Sequence, residues 1–123
     1  MVCMIDLDQV RAALVLTDFD ALAAQRRMAP QPRTLRRSSK QGGPPRQAGV
    51  LLLLYPSEDG LSFVLTRRSP NPHDVHSGQI SLPGGSQETG ETPIQTALRE
   101  TYEELGVDGA IQVMGSLMTL YIP

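Results

Sequence analysis

Three glutamates, Glu100, Glu103 and Glu104, stand at i, i+3 and i+4 in the stretch Gly84–Val107. On a helix this spacing gathers three carboxylates on one side, where like charges repel. A hard divalent cation reverses the sign of that effect. Magnesium takes oxygen ligands and keeps several waters that a phosphate can replace. Taken alone, the cluster also reads as a solvated acidic face, the commoner meaning of charged helix surfaces. The helix that carries it has its own boundaries. Thr92 and Gln95 form a Thr-x-x-Gln capping box, Pro93 falls at the first helical position, and Gly106 stands where a C-terminal cap is wanted. Ile94, Ala97, Leu98, Thr101 and Leu105 make the expected buried stripe.

The wider spacing is more specific than the cluster. It reads Gly85, five residues, Glu91, seven residues, Arg99-Glu100, two residues, Glu103-Glu104, one residue, Gly106-Val107. This pattern resembles the box of the Nudix hydrolases, with Thr101 in place of the family's usual aliphatic residue. The resemblance implies an α/β fold, a three-layered α/β/α sandwich with a mixed sheet. It also implies that Glu100, Glu103 and Glu104 hold magnesium or manganese, with the Gly84 carbonyl as a further ligand. Glu100, Glu103 and Arg99 become the catalytic set. Glu100 is then the general-base candidate, and Arg99 pairs with Glu91 or a helix glutamate to fix the carboxylates. Some family members draw the base from a later loop, which would lie beyond Pro123.

A second motif lies upstream. Leu65-Thr66-x-Arg68-Ser69, His76-x-Gly78-Gln79 and Pro83-Gly84-Gly85 resemble the additional motif of the coenzyme A pyrophosphatase branch of the same family, with Leu82 where phenylalanine is usual. The resemblance implies hydrolysis of coenzyme A or its derivatives to 3′,5′-adenosine bisphosphate and 4′-phosphopantetheine. Arg67, Arg68, Ser69, His76 and Gly78 are the substrate-binding candidates. Arg67 and Arg68 suit phosphate by charge-assisted bonding, and read equally as an ordinary cationic strand end. His73 and His76 have metal-ligand spacing, but without a nearby cysteine His76 reads as a donor that orders its loop. Two alternatives stand beside this reading: a Nudix hydrolase of another nucleoside diphosphate derivative, such as ADP-ribose or a nucleotide sugar, and a binding remnant without turnover. There is no Gly-Lys-Ser/Thr loop and no Rossmann glycine triad after a strand.

The elements that must position these residues follow from the rest of the chain. At 123 residues and a net charge of −2, it fits one domain and carries no global field for nucleic acid or membrane. A single cysteine, Cys3, rules out an internal disulfide. The longest apolar run, Ala48–Tyr55, is too short to span a bilayer, and Asp6 and Asp8 stand where a secretory leader would be basic, so a cytoplasmic protein is expected. Residues 1–28 form an N-terminal helical segment, with Leu7, Val10, Leu14 and Leu16 in a stripe and Thr17 with Asp20 capping a second helix, Asp18–Met28. Residues 29–47 read as a basic linker rich in proline and glycine, without the interleaved aromatics of a nucleic-acid arm. Residues 48–123 carry the strands: Gly49–Tyr55, a turn at Pro56–Gly60, Leu61–Thr66, an extended Gly78–Leu82, and Ile111–Ile122 with a bend at Gly115. By the resemblance, further strands and a long helix are expected after Pro123, so the chain is expected to be a fragment or to have a partner that supplies them. The apolar edge at Ile111–Ile122 then leads to an expectation of self-association, a homodimer in its simplest form.

Overall fold

The computed structural model describes residues 4–29, 44–73, 77–107, 109 and 111–120. The chain divides into two units, residues 1–6 with 45–112, and residues 7–44 with 113–123.

Among its described residues the second unit holds two short helices, α1 (Leu7–Leu14) and α2 (Ala21–Met28). Leu7, Val10 and Leu14 are half-buried, as the stripe predicts, whereas Leu16 lies past the helix end and is exposed. On α1, Arg11 Nη1 reaches Asp8 Oδ1 at 3.1 Å across one exposed turn. The cap of α2 is Asp20, whose carboxylate accepts from Ala23 N at 2.9 Å. The expected start at Asp18 with Thr17 is therefore corrected. A carboxylate at the helix N-terminus meets both the free amides and the positive dipole end, which a hydroxyl does less well. Residues 111–120 contain no strand. The predicted Ile111–Ile122 strand is absent over that stretch, and its last two residues lie outside those described. Apolar alternation makes a strand only where a neighbour takes its backbone hydrogen bonds, and no strand pairs with this segment among the described residues.

The first unit contains the remaining elements. The apolar run does not form one strand. It splits into β1 (Ala48–Val50) and β2 (Leu54–Ser57), which turn to different partners. β2 pairs antiparallel with β3 (Gly60–Phe63) around a two-residue turn, Glu58-Asp59. Gly60 takes φ 113° there, a region open to glycine. Pro56 lies within β2 opposite Leu61, and not in the turn as expected. β4 (Thr66–Arg67) pairs with β5 (Ile80–Ser81), so the predicted Leu61–Thr66 strand is also divided. β6 (Gly84–Ser86) returns to β1 in the register Ala48 to Ser86, Gly49 to Gly85 and Val50 to Gly84. All three pairings are antiparallel. The molecule thus combines helices with small antiparallel sheets, in keeping with the α/β class.

α3 (Pro93–Leu105) lies on the β1–β6 ribbon. Glycines make the approach this close. A Cβ on Gly49 would stand 2.9 Å from Ala97 N and would strike the Pro93 carbonyl. The face turned to the ribbon is Thr96, Ala97 and Thr101, all buried. Leu98 and Leu105 are half-buried, while Ile94 is 44% exposed. The contact stripe is therefore rotated from the predicted one toward Thr96 and Glu100, because a ribbon of glycines accepts short side chains and leaves no hollow for Ile94.

Candidate active site

The site begins with the way α3 starts. Thr92 N donates to Gln95 Oε1 at 2.8 Å, and Gln95 N donates to Thr92 Oγ1 at 3.2 Å, closing the capping box. At the other end Gly106 adopts φ 68° and donates to Tyr102 O at 2.7 Å. These fixed ends set Glu91 immediately before the helix and Arg99 two turns into it.

Arg99 reaches back from there. Its Nε meets Glu91 Oε1 at 2.7 Å and its Nη2 meets Oε2 at 3.2 Å, a two-toothed grip on one carboxylate. Nη2 also donates to Ser86 O at 3.1 Å, tying the helix to β6. Nη1 lies 3.0 Å from Glu100 Oε1 and 3.2 Å from Glu103 Oε1. One guanidinium thus holds three carboxylates and a strand carbonyl.

Glu91 is held on its other side as well. Its Oε2 accepts from Thr96 Oγ1 at 2.8 Å and from Glu88 N at 3.0 Å, and its carbonyl accepts from Gln87 Nε2. The Arg99 bonds, then the Glu88 amide, lower the Glu91 carboxyl to about 2. The same bonding, above all to Glu91, raises the Arg99 guanidinium further above its ordinary range. Both groups are fixed in their charged forms.

Glu100 is seated against β6. A Cβ on Gly85 would lie 2.5 Å from Glu100 Oε1, so only glycine leaves room for this carboxylate. Its side chain is 19% exposed, against 55% for Glu103. The Glu104 side chain is exposed and makes no hydrogen bond or ion pair among the described residues. Glu100 and Glu103 therefore converge on one nitrogen, and Glu104 stands apart. Among the described residues no three acidic, histidine or cysteine side chains are gathered closely enough to hold a metal ion.

The substrate-binding candidates lie upstream of this cluster. Arg67 ends β4 opposite Ile80, and Arg68 continues the pairing through its N–H to Gln79 O at 2.9 Å. Arg67, Arg68 and Ser69 are exposed. Gly78 takes φ 71° in the turn that returns the chain to β5. His76 lies outside the described residues. From β5, Leu82 and the buried Pro83 lead directly into Gly84 and the cluster, so one backbone path joins the two motifs. Two contributors escaped the sequence reading. The Ser86 carbonyl carries no side-chain signal. Thr96 does, since it stands one turn before Glu100 on the same face.

A family model described as "NUDIX domain" matches residues 45–122. The chain belongs to the NUDIX family. It is similar over 69 residues, at 42% identity, to Nudix hydrolase 15, mitochondrial, of Arabidopsis thaliana; the match covers 54% of this chain and 24% of that protein. It is 41% identical over 68 residues to the peroxisomal coenzyme A diphosphatase ndx-8 of Caenorhabditis elegans, covering 51% and 28%. A Mycobacterium tuberculosis protein provisionally named 8-oxo-dGTP diphosphatase 3 is 39% identical over 74 residues, covering 58% and 33%. The matched stretch thus spans between about a quarter and a third of the length of these relatives. No solved structure matches.

Nudix hydrolases act on small molecules and generally use divalent metal ions. In donor type the residues match such an ion, since Glu100, Glu103 and Glu104 carry the carboxylate oxygens a hard cation takes. Glu100 and Glu103 are turned onto Arg99 and Glu104 stands apart, so the three are not gathered about one point here. No helix among the described residues is long and apolar enough to cross a membrane.

Proposed function

We propose that this chain hydrolyses the pyrophosphate bond of coenzyme A or its derivatives, releasing 3′,5′-adenosine bisphosphate and 4′-phosphopantetheine. The observation that carries the hydrolytic reading is the arrangement around Arg99, where one guanidinium aligns Glu91, Glu100 and Glu103 beside the glycine-rich strand β6. Coenzyme A is favoured by the Leu65–Gly85 motif and by the similarity to a coenzyme A diphosphatase.

Glu100, Glu103 and Glu104 would hold magnesium or manganese, with the Gly84 carbonyl as a further ligand. When bound, the ion supplies charge neutralisation at the pyrophosphate oxygens and a lowered pKa for the attacking water. Glu100 would serve as the base toward the attacking water, because it is the acidic group seated against β6 and partly shielded from solvent. Arg99 keeps the carboxylates aligned and stays protonated throughout. Arg67 and Arg68, with Ser69, His76 and Gly78, receive the remaining phosphate, the ribose 3′-phosphate of coenzyme A. The catalytic region is residues 48–123, with 1–28 a helical segment and 29–47 a linker. A cytoplasmic, homodimeric protein completes the reading.

Incubating the chain with magnesium or manganese and a panel of coenzyme A, dephospho-coenzyme A, ADP-ribose, a nucleotide sugar and 8-oxo-dGTP tests this. Coenzyme A should give the highest kcat/KM, with dephospho-coenzyme A behind it. The mycobacterial relative's name favours a second reading, a nucleoside triphosphate. Preference for 8-oxo-dGTP would establish that one, and binding without turnover of any compound would leave a metal- or nucleotide-binding protein.

A further inference from the structure

Thr96 is completely buried, and neither spacing motif includes it. Its hydroxyl lies 2.8 Å from Glu91 Oε2 and 3.2 Å from Thr92 O. A hydroxyl has one hydrogen to give, and the charged acceptor at the shorter distance takes the larger share. Glu91 Oε2 then has three donors: Thr96 Oγ1, Glu88 N at 3.0 Å and Arg99 Nη2 at 3.2 Å. Three donors around one oxygen fix the plane of the carboxylate. The guanidinium fork reaches both oxygens only if it lies in a matching plane. That same plane sets where Nη1 points, and Nη1 is what Glu100 and Glu103 share.

Packing alone does not ask for a hydroxyl here. Valine has the same branching and nearly the same volume, and Ala97 beside it is apolar. We infer that Thr96 is a positioning residue of the hydrolytic site, its hydroxyl holding Glu91 in the plane through which Arg99 aims Glu100 and Glu103. The effect on turnover rests on the function proposed above. The relay from Thr96 to Arg99 belongs to the fold and can be read without it.

Thr96→Val, which removes the hydroxyl, and Thr96→Ser, which keeps it, test the inference together. Groups that orient ligands from behind change metal affinity or activity by roughly 10- to 100-fold. In Thr96→Val we expect kcat and manganese affinity each to fall about tenfold, at the lower end of that range, with KM for coenzyme A little changed. The Arg99 Nε–H resonance should exchange faster with water. Thr96→Ser should restore all three. Thr96→Ala, which asks for no extra space, should repeat the valine result if valine distorts the helix. Wild-type behaviour of a folded Thr96→Val chain in all three readouts overturns the inference, as does a serine variant impaired as much as valine. If the wild type neither binds manganese nor hydrolyses anything on the panel, the proposed function fails. Arg99 Nε–H exchange then decides the positioning role by itself.

Discussion

Glu91 carries no direct chemistry, yet its carboxylate is the most perturbed acid around α3, held at about 2 by Arg99 first and then by the Glu88 amide. A folded-state pKa below the unfolded value contributes stability that is present above the unfolded pKa and lost as pH falls through the folded one. The window therefore runs from about 4.5 down to about 2. Thermal melts across that range should show stability falling with acid, and Glu91→Gln should flatten the slope while lowering stability at neutral pH. An unchanged slope in the variant would mean the pair contributes nothing beyond geometry. The Glu104 side chain is exposed and has no partner among the described residues. If the proposed function holds, Glu104→Gln should leave the melt unchanged and abolish metal-dependent hydrolysis, because on that proposal a ligand charge is lost without any packing. Full activity at saturating magnesium would remove this helix face as the metal site. At this scale the sequence was informative where spacing is chemistry: Arg99 eight residues after Glu91 fixes a helical reach of two turns. It was silent on the Ser86 carbonyl, because any residue carries one.

α3 was legible from end to end, and the reason is that helix ends are local. Thr92, Pro93, Gln95 and Gly106 act within one turn of themselves, so the boundaries Pro93–Leu105 need no tertiary information. Strands are different. Ala48–Tyr55 reads as one apolar run, but its first part answers to β6 and its last part to β3, a division decided by partners distant in sequence. The rotation of the α3 stripe has the same origin, since the ribbon beneath offers Gly49, Gly84 and Gly85 and not large side chains. This close approach yields a prediction. In Gly49→Ala the new methyl meets backbone atoms of Pro93 and Ala97, which cannot turn aside as a side chain would. The helix must lift from β1 by a few tenths of an ångström or more, and overpacking of this kind costs about 1–3 kcal/mol. Urea denaturation should show that loss. Manganese affinity should fall with it, since lifting α3 moves Glu100 away from β6. A variant as stable as wild type would show that the ribbon and helix are less tightly apposed than described.

On the scale of the whole molecule, the strand-bearing unit leaves much apolar surface uncovered. Val50, Leu52, Tyr55, Phe63, Leu65 and Ile80 are 61%, 44%, 46%, 51%, 52% and 66% exposed, and Pro83 and Ala97 are the buried apolar side chains among the described residues. Among the described residues every sheet there has two strands, and each strand has one side without a paired neighbour. Two-stranded ribbons are marginal in water, and unpaired apolar edges associate. The sequence placed that edge at Ile111–Ile122, where residues 111–120 form no strand. The exposed residues of β1 to β5 and their connections now carry the expectation. Sedimentation velocity should show self-association that strengthens with protein concentration. Ile80→Glu should weaken it at little cost to folding, because Ile80 is already mostly exposed and the charge would be desolvated only in the associated form. If association also steadies β5 and the Pro83–Gly85 path into the cluster, specific activity should rise with concentration in the wild type and stay flat in Ile80→Glu. A chain that sediments as a monomer at concentrations of about 100 μM, well above the micromolar range in which specific dimers form, would show that this surface does not bind a second copy.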